Sequence, residues 1–125
     1  MSSRPGVQIK QVTEEDDGHY AIPKEVKARV EETVADFNRK AFKGANVSYR
    51  ARFRGRYLYL DRDEYGRSGP ICRLTYTGKL DGWEFAIFKR SDEAYDPDEW
   101  FFPGAGEVDG KVQGAMRAGL EAYPV

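Results

Sequence analysis

The sequence predicts an α+β fold, a four-stranded antiparallel meander with two helices packed on one face, in the order α-β-β-β-β-short α-α. Three observations lead there. An apolar stripe at helical spacing runs through residues 22–44. Period-two alternation then recurs between residues 47 and 89, and a second helical stripe closes the chain. At 125 residues, such a chain buries roughly two-thirds of its unfolded surface and needs no disulfide or metal to hold together.

Residues 1–20 are polar and mixed and are predicted to be a largely flexible N-terminal segment, with a short edge strand at Val7 and Ile9 where apolar residues alternate. Residues 21–125 form the single α+β domain. Ile22-Pro23-Lys24 opens the first helix, Pro23 suiting a first-turn position where its missing N–H costs nothing. Val26, Val30, Val34, Phe37 and Ala41 then make one apolar stripe, and Gly44 marks the stop.

The segment from Ser48 to Asp61 alternates on both sides of Arg54-Gly55, the pattern of a hairpin with a two-residue loop. On that register Phe53 faces Arg56, Arg52 faces Tyr57 and Arg50 faces Tyr59. Val47, Tyr49, Ala51, Phe53, Leu58 and Leu60 share the core face, and Ser48, Arg50, Arg52, Tyr57, Tyr59 and Asp61 share the other. A polar loop is predicted for Arg62 to Pro70. Two further strands follow: 71–77, with Cys72, Leu74 and Tyr76 inward, and 83–89, with Trp83, Phe85 and Ile87 inward. Asp96-Pro97-Asp98-Glu99 reads as the start of a short helix, with Asp96 as cap and Glu99 reaching back. The last helix spans about 109–123, with Val112, Met116, Leu120 and Tyr123 on one face. Its Gly114 and Gly119 each cost about 1 kcal/mol relative to alanine unless close packing offsets them.

The helix–strands–helix order, the approach Gly104-Ala105-Gly106 and the small-residue helix around Gln113-Gly114-Ala115-Met116-Arg117-Ala118 are similar to the double-stranded-RNA-binding domain. That family opens its final helix with a phosphate-gripping lysine cluster and has three strands. Here there is only Lys111 beside Asp109, and four strands are predicted. The chain is therefore not assigned to that family.

Composition narrows the function classes. The chain is 40% apolar and 33% charged, and no apolar run approaches the roughly 20 residues that span a bilayer. The opening Met1-Ser2-Ser3-Arg4-Pro5-Gly6 lacks a secretion-signal core, and the single cysteine, Cys72, points to a reducing, cytoplasmic setting. No catalytic residue, cofactor or metal is assigned. His19 is the only histidine and sits among acids, which disfavours a nucleophile–histidine arrangement. Cys72 alternates with core residues, and Gly104-x-Gly106 lacks the strand and third glycine of a phosphate loop. Asp61-Arg62-Asp63-Glu64-Tyr65-Gly66 starts like a calcium loop but has no acid at the fifth position and Cys72 at the twelfth.

Charge is segregated beneath a net value of −1: residues 48–60 carry four arginines and no acid, and residues 91–109 carry seven acids and no Lys or Arg. Two readings of the arginine-tyrosine face follow. Cross-strand cation–π pairs would simply stabilise a solvated sheet. Alternatively, Arg50, Arg52 and Arg73 track phosphates while Tyr57 and Tyr59 stack on unpaired bases, making a binding module for single-stranded nucleic acid. The rival function is protein interaction or homodimerisation, through the same face or the Trp100-Phe101-Phe102 segment. The acids of 91–109 are further expected to lie near the arginines of 48–60 and mask them.

Overall fold

The structure, a computed structural model, describes residues 21–125. The expectations for residues 1–20, including the edge strand at Val7 and Ile9, lie outside the described residues. Helix α1 (Lys24–Phe42) leads into β1 (Val47–Arg54), β2 (Tyr57–Glu64), β3 (Arg67–Thr75), β4 (Glu84–Lys89) and β5 (Ala94–Asp96). A 3-10 turn at Ala105–Glu107 and helix α2 (Val112–Ala122) complete the order. The strands lie side by side in chain order and every pair is antiparallel. The α+β meander of the sequence analysis is present, with five strands rather than four, which carries it further from the three-stranded RNA-binding fold.

The predicted short helix from Asp96 does not form: the fifth strand ends at Asp96 and a turn follows. Ala94, Tyr95 and Asp96 pair with Lys89, Phe88 and Ile87. The Asp96 carboxylate does cap a backbone N–H, that of Asp98 at 2.9 Å, but it caps a turn. Pairing the open edge of β4 wins over the local helix signal, because Tyr95 gains ring contacts with Phe88 at 5.2 Å and Tyr59 at 5.3 Å.

The predicted polar loop at Arg62–Pro70 is a second hairpin. Tyr65 (φ 52°) and Gly66 (φ 88°) occupy its two central positions, both left-handed as a type I′ turn requires. A tyrosine at the first of these gave no turn signal, and the alternation hides because Asp61, Arg62, Asp63 and Glu64 are all charged. β3 consequently begins at Arg67 rather than Ile71.

The first hairpin also turns at a different point. Arg54 pairs with Tyr57, Arg52 with Tyr59 and Arg50 with Asp61, so the loop is Gly55-Arg56. This displaces the predicted register by two residues, and a slip of two leaves every side chain on its predicted face. Between β2 and β3, Leu60 pairs with Cys72 but Asp61 pairs with Pro70. The extra residue, Ile71, makes a bulge, and both Ile71 and Cys72 are buried.

The core lies between the sheet and the helices. Val30 and Val34 of α1 and Ala115, Met116 and Ala118 of α2 close over Tyr49, Leu58, Leu60, Leu74, Phe85 and Ile87. Cys72 is completely buried there, and desolvation pushes its thiol far above the usual range, which makes it inert. Gly119 is the point of closest approach. A Cβ there would fall on the Tyr49 hydroxyl and 2.5 Å from Ile71 Cγ2. That hydroxyl donates to the Met116 carbonyl at 2.8 Å, tying β1 to α2. Gly119→Ala should therefore destabilise the protein by about 1–3 kcal/mol despite alanine's better helix propensity. A chemical melt in which the variant matches or exceeds the parent would show that the contact yields. Among the described residues no helix is long and apolar enough to cross a membrane.

Candidate nucleic-acid interface

The face of the sheet opposite the helices is built by strand alternation. It takes Arg50, Arg52 and Arg54 from β1, Tyr57, Tyr59, Asp61 and Asp63 from β2, and Arg73 from β3. Tyr95 of β5 joins them by ring contact with Tyr59. All five residues predicted for this interface, Arg50, Arg52, Tyr57, Tyr59 and Arg73, are thus brought together.

Their charge state differs from the expectation of a bare arginine surface. Arg52 grips the Asp61 carboxylate with two bonds, Nε at 2.9 Å and Nη2 at 3.2 Å. Arg50 pairs with Asp63 at 3.3 Å and donates to the Ser68 hydroxyl at 2.5 Å. These hydrogen bonds raise the pKa of both guanidinium groups, and the Arg50 bond holds Asp63 below the usual carboxylate range. Asp61 and Asp63 continue the alternation of Tyr57 and Tyr59. Asp61 is already on this face in the sequence; extending the strand through Glu64 adds Asp63.

Arg54 and Arg73 are different. Among the described residues neither has a carboxylate within ion-pair distance. Arg73 pairs with Tyr59 along the strands, and its guanidinium lies over the Tyr57 ring at 4.7 Å and the Tyr95 ring at 5.6 Å. Its Nε is buried without a hydrogen-bond partner. Arg54 stands directly across from Tyr57 and is exposed. Arg52 sits over Tyr59 at 4.4 Å and Arg56 over Tyr57 at 4.8 Å, so guanidinium groups and rings interleave across the face. Tyr57 and Tyr59 are half-buried, with ring centroids 6.0 Å apart. Burial raises the pKa of the Tyr95 hydroxyl, so it stays neutral. Tyr95 carried no local signal; only the fifth strand brings it here.

Among the described residues, no acid of 91–109 forms an ion pair with Arg50, Arg52 or Arg54. Lys89 gathers Glu99 at 3.2 Å, Asp92 at 3.7 Å and Asp96 at 3.8 Å, and Arg117 takes Glu107 at 3.0 Å and Asp109 at 3.5 Å. The masking acids are instead Asp61 and Asp63, from the neighbouring strand. In the Trp100-Phe101-Phe102 segment the three side chains part company. Phe102 stacks on the core ring of Phe85 at 5.9 Å, Trp100 lies over both and is 47% exposed, and Phe101 is 99% exposed. Among the described residues no cluster of His, Cys, Asp or Glu is arranged to hold a metal ion. No protein-family model matches this chain, and neither a curated protein nor a solved structure matches it.

Proposed function

We propose that this protein is a small non-enzymatic binding module that holds single-stranded nucleic acid on its outer sheet face. The observation that carries the reading is the pair of arginines without carboxylate partners among the described residues, Arg54 and Arg73, on the two strands that flank the half-exposed Tyr57. Guanidinium groups of this kind track phosphates, and a ring between them offers a base a stacking surface worth about 1–3 kcal/mol. Arg50 and Arg52 contribute less, because binding a phosphate would cost them an existing carboxylate. A cytoplasmic setting goes with this reading, since a chain with one cysteine forms no internal disulfide.

Fluorescence anisotropy with RNA and DNA 12-mers across a salt series tests the reading. Affinity should fall as salt rises, and Arg54→Ala with Arg73→Ala should flatten the slope by about one to two units. Asp61→Asn with Asp63→Asn should act the opposite way, freeing Arg50 and Arg52, tightening binding and steepening the slope. No binding at about 100 μM protein, where even a weak specific site would register, would reject nucleic acid as the ligand.

A second reading rests on Phe101. A fully exposed phenylalanine beside a half-exposed tryptophan is an anchor for a protein partner or a second copy. Binding through that anchor would be insensitive to salt and lost in Phe101→Ala.

A further inference from the structure

Strand β1 forms one edge of the sheet, and half of that edge is open. Toward its start, Asn38 of α1 stands in for a neighbouring strand. Its Oδ1 accepts the Tyr49 N–H at 2.8 Å and its Nδ2 donates to the Tyr49 carbonyl at 3.0 Å. Strand alternation turns the backbone groups of Ala51 and Phe53 the same way. Among the described residues no group from outside the sheet bonds to them. Such an edge is a template for a further segment of chain. At this open end the Ile22 N–H donates to the Gly55 carbonyl at 3.1 Å, which fixes where the chain enters the fold. Residues 1–20, which lie outside the described residues, therefore join it beside the last residues of β1.

Charge selects the occupant. β1 carries Arg50, Arg52 and Arg54 and no acid. Arg54 is exposed and has no carboxylate within ion-pair distance among the described residues. Arg50 and Arg52 keep 47% and 46% of their side chains exposed beside Asp63 and Asp61. The preceding chain holds Glu14-Glu15-Asp16-Asp17, and no Lys or Arg occurs between residues 11 and 23. Asp17 lies five residues before Ile22 and Glu14 eight, a reach of up to roughly 17 to 27 Å for extended chain. From Arg54 to Arg50 the strand covers only about 13 Å. The run can thus lie against all three arginines, and its tether holds it near them at an effective concentration on the order of millimolar.

We propose that the acidic run Glu14-Glu15-Asp16-Asp17 docks in cis along the open half of β1, setting its carboxylates against Arg54, Arg52 and Arg50. The contact supplies Arg54 with a carboxylate and covers the arginine face from its edge. A polyanion must then displace the run to reach β1. That last consequence rests on the nucleic-acid reading above; the docking itself does not.

The test is paramagnetic relaxation in the full chain, with no nucleic acid present. Cys72 is completely buried, so a nitroxide can be attached at Thr13→Cys alone. The expected result at low salt is a several-fold loss of amide intensity across Arg50–Arg54. Most of it should return in about 1 M sodium chloride, where the screening length falls to roughly 3 Å. It should return equally in the same labelled chain carrying Glu14→Gln, Glu15→Gln, Asp16→Asn and Asp17→Asn. Broadening confined to the neighbours of Ile22 and Gly55, or undiminished in the neutralised chain, would overturn the proposal. Broadening passed from a labelled chain to an unlabelled 15N chain in a mixed sample would give the edge to a second copy and overturn it too. Absence of oligonucleotide binding would reject the nucleic-acid ligand and leave this broadening unchanged.

Discussion

Arg62→Ala is expected to destabilise the protein by about 3–5 kcal/mol, as much as losing a large core residue. Arg62 lies on β2, with its side chain 1% exposed on the core face beside Leu60. Its guanidinium runs over the Tyr49 ring at 5.6 Å and divides its donors three ways. Nε meets the Glu64 carboxylate at 2.6 Å, Nη1 reaches the Gly119 carbonyl at 3.5 Å, and Nη2 donates to the Tyr123 carbonyl. The last two acceptors belong to the C-terminal end of α2, where a helix runs out of its own N–H donors. A cation at that end also suits the helix dipole. The Gly119 carbonyl keeps the Tyr123 N–H at 2.9 Å, so truncation would strand the Tyr123 carbonyl and leave a void under the helix.

The ion pair itself is the smaller share, because Glu64 is 35% exposed and can rehydrate. Glu64→Ala should accordingly cost less than about 1 kcal/mol. Arg62→Lys should fall between the two, since one ammonium cannot span both carbonyls and the carboxylate. Urea melts of the three variants check the order. A loss for Arg62→Ala no larger than that for Glu64→Ala would mean that the Tyr123 carbonyl rehydrates freely and that α2 does not depend on this anchor.

Arg62 also shows where the sequence stopped being informative. A charged residue between two aspartates and a turn reads as loop, because burial of arginine is rare and depends on acceptors far along the chain. The apolar periodicity of α1, the small-residue face of α2 and the alternation of Leu58, Leu60, Leu74, Phe85 and Ile87 were legible, since each is a local pattern repeated over several residues. The face assignments survived a misplaced first turn because the register differed by two. Three-residue β5 is too short to carry a period, and its signal was overridden by a locally sound helix cap at Asp96. The composition of the candidate face was readable for the same reason as the core, being its complement. Its electrostatics were not. Whether Arg50 and Arg52 are free depends on which residues stand across from them, and only the observed pairing sets Asp61 opposite Arg50.

The second large effect concerns Phe85, whose replacement by alanine should cost about 3–5 kcal/mol. Phe85 is 6% exposed on the helix-facing side of β4 and belongs to the same core as Leu74, its cross-strand partner. It is also the platform for the segment that follows β5. Phe102 stacks on it with an interplanar angle of 19°, and Trp100 lies 6.0 Å away and stacks in turn on Phe102 at 6.2 Å. Removing the ring therefore opens a cavity and unseats two aromatic neighbours, so the loss should come with a red shift of Trp100 fluorescence. Phe101, the residue between them, packs on nothing that truncation would expose. Phe101→Ala should stay within about 0.5 kcal/mol of the parent, as surface substitutions do. The contrast separates the two jobs within one aromatic run, Phe102 and Trp100 closing the core while Phe101 remains available to a partner. Equal stabilities for Phe85→Ala and Phe101→Ala would place the core on the other face of the sheet.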